Sequence, residues 1–146
     1  MTTGTQGPAV HGRALHTLSA AECFDLLQPG GIGRVAFGAA TGIVVLPVNY
    51  VVAGKTIVFR TAPDTLLAVY AEGQVSFEAD RFDEELREGW SVLIQGHAHK
   101  VTAEREVSQL EDRTHLEPWA AGARDVYVRI APARISGRRL SRPMPG

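Results

Sequence analysis

The 146-residue sequence predicts a mainly β domain with short helices, and three observations carry that reading. Six stretches rich in valine, isoleucine and aromatic residues are separated by turn signals. The first two connections between them, a turn around Ala39 to Gly42 and the Ala53-Gly54 turn, are too short for helical crossovers, so those strands run antiparallel. The stretch IVVLPVNYVV at 43–52 is apolar on both faces and needs cover on each side. A small closed or split barrel supplies that cover, with a second subunit as one candidate for the outer layer.

Residues 1–17 have neither the basic start nor the apolar run of a signal peptide, and read as a flexible arm. Ser19-Ala20-Ala21-Glu22 has the spacing of a capping box, and Phe24, Leu26 and Leu27 follow before Pro29-Gly30-Gly31 stops the helix. GRVAFG, IVVLPVNYVV and KTIVFRT then give three consecutive strands. Ala62 to Ala71, with Pro63 near its start, suits a helix laid across the end of the sheet. QVSFEAD returns to strand, the acidic stretch at 80–89 reads as a turn, and WSVLIQGHAHKV is the fifth strand. Val107, Leu110 and Leu116 are spaced for a helix between Glu104 and Leu116, and DVYVRIAPARISGRRL is a last strand interrupted at Pro132. One domain over 18–140, with a short tail at 141–146, accounts for the chain.

A net charge of -1, from 15 basic and 16 acidic side chains, gives no global field to draw in nucleic acid or an anionic membrane. No apolar run approaches the ~20 residues of a membrane span. The single cysteine, Cys23, cannot close an internal disulfide, which fits a reducing, cytoplasmic setting. The nucleophile elbow, the paired-cysteine zinc spacing, the Walker loop and H-E-x-x-H are all missing. If the protein is an enzyme, a bound cofactor carries the chemistry.

The most specific pattern is the ordered set GRVAFG, VVLPVNYVVAGKTIVFRTAPDTLL, VSFEADRFD, GWSVLIQGHA and LEPWAAGARDVYVRIAPARISGRRL, running from about Leu18 to Leu140. It resembles the pyridoxamine 5′-phosphate oxidase-like flavoproteins, and more narrowly their small, often actinobacterial members. The resemblance implies a six-stranded antiparallel split β-barrel that forms a homodimer, with one flavin mononucleotide (FMN) in each of two clefts at the subunit interface. It also implies an FMN-dependent oxidoreductase acting on a small organic molecule. Carried over position by position, Pro47, Val48, Asn49 and Tyr50 lie along the flavin ring. Arg60, Thr61 and Thr65 approach the ribityl phosphate, Trp90 and Ser91 meet the far edge of the ring, and Trp119 closes the pocket from the partner.

One departure stands out. Relatives commonly have a lysine after the threonine of the A-P-x-T turn, and this chain has Leu66. A charge-assisted contact of that kind contributes about 1.5–3 kcal/mol, so its loss weakens FMN binding unless Arg60 or another arginine compensates. The end of the chain, RISGRRLSRPMPG, also lacks the arginine and histidine pattern with which the true oxidase holds its substrate.

Other readings keep the fold and change the ligand. A deazaflavin is one, haem with His97, His99 or His115 as axial ligand is another, and a non-catalytic dimer that stores or senses flavin is a third. His97 and His99 share a strand face, which without nearby acidic or thiol partners is ordinarily a surface feature rather than a metal site. Cys23 reads as a small apolar filler. Arg134, Arg138, Arg139 and Arg142 could screen the acidic run at 80–88, bind phosphate, or lie exposed as a basic edge that discourages strand-to-strand aggregation, the last being the favoured reading.

Overall fold

The computed structural model describes residues 14–70, 72–114 and 126–141. Along them run β1 (Ala14–Leu18), α1 (Ala20–Leu27), β2 (Gly30–Ala39), β3 (Gly42–Ala53), β4 (Thr56–Thr61) and α2 (Leu66–Tyr70). β5 (Gly73–Asp83), β6 (Glu88–Val101), α3 (Glu104–Thr114) and β7 (Val126–Ser141) complete the order. All strand pairings are antiparallel.

The barrel closes because β7 serves two ladders. Along one edge it pairs with β6, from Val101↔Tyr127 to Gly89↔Leu140. The other edge is shared, Val126–Ile130 pairing with β4 and Gly137–Ser141 with β1. The ring is therefore β7-β4-β3-β2-β5-β6 and back to β7. These six are the strands read from sequence, and β1 is a seventh strand outside the ring. Residues 14–17, expected in a flexible arm, instead form most of β1, where His16 Nε2 and Ser141 Oγ lie 3.1 Å apart.

Period-2 alternation puts Val35, Phe37, Val48, Tyr50, Phe59, Phe77, Val92 and Ile94 inside, all buried. At about 1.5–3 kcal/mol for each fully buried large apolar side chain, this interior is the main source of stability. Tyr50 sits at its centre, with its ring edge-on to Phe77 at 4.9 Å and its hydroxyl donating to the Leu27 carbonyl at 3.1 Å.

Helix α1 plugs one end of the barrel. Ser19 Oγ accepts from the Glu22 amide and Glu22 Oε1 accepts from the Ser19 amide, the reciprocal box expected from sequence. Its buried face, Cys23 and Leu27, lies against β7 at Gly137. A Cβ at Gly137 would stand 2.6 Å from Cys23 Sγ and 3.0 Å from Leu18 Cδ1, so no larger residue fits without moving α1 and β1. On the opposite side α3 lays Val107 and Leu110 over Val58, Val101 and Tyr127, and Glu106 pairs with Arg129 at 3.2 Å.

Two expected elements change. Helix α2 begins at Leu66 rather than near Ala62, because Thr65 closes a turn on the Ala62 carbonyl first. The 80–89 stretch is mostly strand, with Phe82↔Gly89 and Asp83↔Glu88 continuing the β5–β6 hairpin to a turn at 84–87. Its charges suggested a loop, yet an exposed two-stranded ribbon satisfies its backbone across the ladder and leaves charged side chains in water.

Replacing Tyr50 with Phe leaves the Leu27 carbonyl without its buried donor. We expect a loss of about 1–3 kcal/mol in urea unfolding with an unchanged m-value; a stability equal to the parent's would refute this account of the α1 junction.

Candidate functional site

Strand β3 is half paired. Its last four residues match β4, from Tyr50↔Phe59 to Ala53↔Thr56, while residues 42–49 pair only with β2 among the described residues. In an antiparallel strand alternate residues direct their N–H and C=O to opposite edges. The edge of residues 42–49 away from β2 therefore presents main-chain donors and acceptors that no described strand takes up. Asn49 and Arg60 are the residues that follow the last β3–β4 pair, so they flank the point where the ladder stops.

Alternation divides the four predicted β3 contacts. Pro47 and Asn49 are exposed on the outer face, whereas Val48 and Tyr50 are buried in the core. Of the latter pair, Val48 lies in the stretch whose far edge is unpaired, whereas Tyr50 is laddered to both β2 and β4 and offers a ligand neither side chain nor main chain. Beside Pro47 the outer face is apolar, with Ile32 65%, Ile43 83% and Val45 58% exposed. The guanidinium of Arg60 lies over the Tyr127 ring, 5.0 Å from its centroid, which fixes a cation next to the β3 edge.

Thr61 and Thr65 meet, their hydroxyl oxygens 2.7 Å apart. Thr65 Oγ1 also donates to the Ala62 carbonyl at 2.8 Å and accepts from the Ala68 amide at 3.2 Å. Its one proton goes to Ala62, so Thr61 is the donor within the pair. The hydroxyl of Thr65 is thus committed to shaping the turn that follows Arg60. Leu66, at the start of the five-residue α2, is 48% exposed.

Trp90 and Ser91 lie elsewhere. Trp90 pairs with Arg139 and packs against the core near the turn end of the β5–β6 hairpin, beside a cavity of about 490 Å³ that Arg81 and Phe82 also line. Val101, eleven positions further along β6, pairs with Tyr127, the residue opposite Arg60. That is roughly 36 Å of strand at ~3.3 Å per residue. Ser91 pairs with Asp80 on β5, three strands across the sheet from β3. One chain therefore gathers Pro47, Asn49, Arg60, Thr61, Thr65 and Leu66 into one region, and leaves Trp90 and Ser91 on a strand that reaches Pro47 only across β5 and β2. Trp119 and His115 lie outside the described residues. His97 and His99 are exposed on β6, and no cluster of three or more metal-ligating side chains exists among the described residues. Cys23 is buried and its thiol is pushed up by that burial, which keeps it protonated and unreactive.

Sequence reasoning missed a charged cluster beside this region. Arg34 pairs with Pro47 on β3 and with Glu78 on β5, and its Nη1 lies 3.2 Å from Glu78 Oε1 and 3.4 Å from Asp80 Oδ2. Burial, then the hydrogen bond and negative charge of Asp80, push the Glu78 carboxyl up to about 7, and Arg34 only partly opposes them. The available signal was the period-2 placement of Glu78 and Asp80 in VSFEAD, which puts both acids on one strand face.

With this geometry in place, the relatives can be set beside it. The family model for pyridoxamine 5′-phosphate oxidase matches residues 19–139. The chain belongs to that family. An FAD binding protein from Mycobacterium smegmatis has a similar solved structure, 39% identical with a TM-score of 0.76, the match covering 86% of this chain and 98% of that one. An FAD-binding protein from Mesorhizobium loti is 25% identical with a TM-score of 0.68, over 89% and 99% of the two chains. Uncharacterized protein Rv0080 of Mycobacterium tuberculosis is 31% identical over 125 residues, 82% of this chain and 81% of that protein. Within the pyridoxamine 5′-phosphate oxidase family, the ring of six strands and the half-paired β3 are the frame on which this chain places its own side chains.

Glu78 gives a pH test. Its pKa is raised from an ordinary 4.5 to about 7, so the unfolded chain releases this proton first as pH rises. The stability it contributes is fully present below 4.5 and is lost as pH rises through about 7. Carboxyl-detected NMR should show a Glu78 midpoint near 7, lowered in Asp80→Asn, and Glu78→Gln should remove that part of the pH dependence of unfolding. A midpoint at the ordinary carboxylate value would show that the cluster does not hold a proton.

Proposed function

We propose that this protein binds a flavin at the unpaired edge of β3 and serves as a flavin-dependent oxidoreductase for a small organic substrate. The observation that carries the proposal is its 39% identity, across 98% of that chain, to a protein that binds FAD. The chemistry of the site suits such a ligand. A flavin's pyrimidine edge alternates donors and acceptors, and so does the free edge of residues 42–49. Asn49 adds an amide able both to donate and to accept, Pro47 with Ile43 and Val45 provides flat apolar surface, and Arg60 supplies positive charge for a phosphate. When bound, a flavin accepts two electrons from a reduced donor and passes them to an acceptor; the chain's part is to hold and orient the ring and exclude water from it.

Among flavins we propose FAD ahead of the FMN implied by the sequence resemblance. FMN ends in a phosphate monoester that carries about -1.5 to -2 charges near pH 7, as phosphomonoesters on proteins do. The pyrophosphate of FAD spreads two single charges over two phosphates. With Leu66 in place of lysine, the lower charge density of the pyrophosphate is the better match to Arg60. We also propose that the protein acts as a homodimer in the cytoplasm. A second copy would cover the exposed apolar residues of β2 and β3, and would bring its own Trp90 and Ser91 toward a ligand held by the first copy. That accounts for a contact set that a single chain keeps in two places.

Titration of the purified protein with FAD, FMN and riboflavin, followed by visible absorbance and thermal stability, tests the proposal. FAD should raise the melting temperature and give a bound two-band yellow spectrum. Leu66→Lys should tighten FMN by about tenfold or more while leaving riboflavin unchanged. Absence of stabilisation by every flavin would overturn the reading, and equal effects of Leu66→Lys on FMN and riboflavin would remove the phosphate assignment.

A further inference from the structure

The outer face of the barrel carries a second feature, whose polar residues the flavin reading does not use. A cavity of about 530 Å³ opens where β2, β5, β6 and β7 meet, within the usual size range of small-molecule sites. Its rim is polar, formed by Gln74, Ser76, Gln95, His97 and Arg134. The register explains their convergence: Gln74 pairs with His97, Ser76 with Gln95, and Gln95 in turn with Arg134, so they occupy neighbouring rows on three adjacent strands.

The cavity exists because small residues line it and the ladder slips beside it. Ala36, Gly38, Gly96 and Ala133 bring little side-chain bulk to its wall. At Gly96 a Cβ would lie 2.2 Å from the Ala131 carbonyl oxygen, so only glycine fits. Between Gln95 and Gly96 the β6–β7 register shifts, Gln95 facing Arg134 and Gly96 facing Pro132, which leaves Ala133 as the extra residue. A bulge of this kind disrupts the ladder locally and re-aims the side chains next to it, here that of Arg134.

We propose that this cavity binds a small molecule bearing an oxyanion, either a carboxylate or a phosphate monoester. Arg134 contributes a permanent positive charge in a planar fork suited to two oxygens. No aspartate or glutamate is among the lining residues, so no carboxylate opposes the ligand. Arg134 forms no ion pair and no side-chain hydrogen bond with a described residue, in contrast to Arg34 and Arg129, which are engaged by acids. The two glutamine amides, the serine hydroxyl and the imidazole supply further donors and acceptors for the rest of the molecule. The polar groups of the proposal are distinct from those of flavin binding, which uses the β3 edge and Arg60, and the cavity shares only Ile43 with that reading.

Isothermal titration of the full chain, without added flavin, with sodium phosphate and separately with sodium succinate, at ionic strength fixed with sodium chloride, tests it. Saturable one-site binding of either probe is expected, and the preferred probe distinguishes the phosphate from the carboxylate. Arg134→Gln should weaken binding by about tenfold or more, the loss of one charge-assisted contact. Arg138→Gln removes a charge of the same sign from the same strand outside the cavity and should change affinity less than about twofold, as expected for an exposed charge screened by salt. Gln95→Leu keeps every charge and should weaken binding by about threefold, the scale of one neutral hydrogen bond, which keeps the proposal testable if Arg134→Gln does not fold. No saturable binding of either probe overturns the proposal, as do equal losses in Arg134→Gln and Arg138→Gln or an unchanged affinity in Gln95→Leu.

Discussion

The shared pairing of β7 is the constraint on which the rest of the molecule depends. One long strand must satisfy β6 along one edge while dividing the other edge between β4 and β1. A strand in that position is forced to curl, and Pro132, which lacks an N–H, together with the extra residue Ala133 gives it a place to do so. If β7 were straight, the ring would open, and the interior centred on Phe59, Phe77 and Tyr50 would lose one wall.

Closure in one place leaves incomplete pairing in another. β3 is twelve residues long and β4 only six, and the two match over four pairs, so β3 runs on past its neighbour. Such an edge is a liability unless something covers or uses it. Here the polar residues at the break, Asn49 and Arg60, sit where the main chain is already available, beside exposed apolar residues. The same economy governs the interior: Thr61 and Thr65 spend their hydroxyls on each other and on the turn, which holds the end of β4 in place next to Arg60.

Much of the ring was legible in the sequence because each of its six strands carries its own signal: dense β-branched residues, alternation, or a glycine-marked turn. β1 was not, since ALHTL is too short and mixed to declare a strand, and it becomes one only because the distant end of β7 offers an edge. At the site, sequence pattern found the right segments but not the orientation of their side chains. LPVNY reads as one contact surface until alternation within a closed barrel sends Val48 and Tyr50 inward and leaves Pro47 and Asn49 outside. Arg34, Glu78 and Asp80 escaped notice for a related reason, being 44 and 46 positions apart in the chain and adjacent only through the β2–β5 ladder. The split between Arg60 and Trp90 was equally invisible, because distance along a strand is not distance along a motif.

Gly137 ties together parts of the chain that are far apart in sequence. It faces Leu18 in the ladder, and the space its missing side chain leaves is filled from two directions, by Leu18 and by Cys23 of α1. The amino-terminal strand, the helix that plugs the barrel and the carboxy-terminal strand are thus keyed to one backbone position. Trimming the protein or attaching a tag near β1 or β7 is for this reason not a local operation: a disturbance introduced in one strand reaches the other through their shared ladder and the packing at Gly137, and expression designs should leave both ends of the β1–β7 ladder intact.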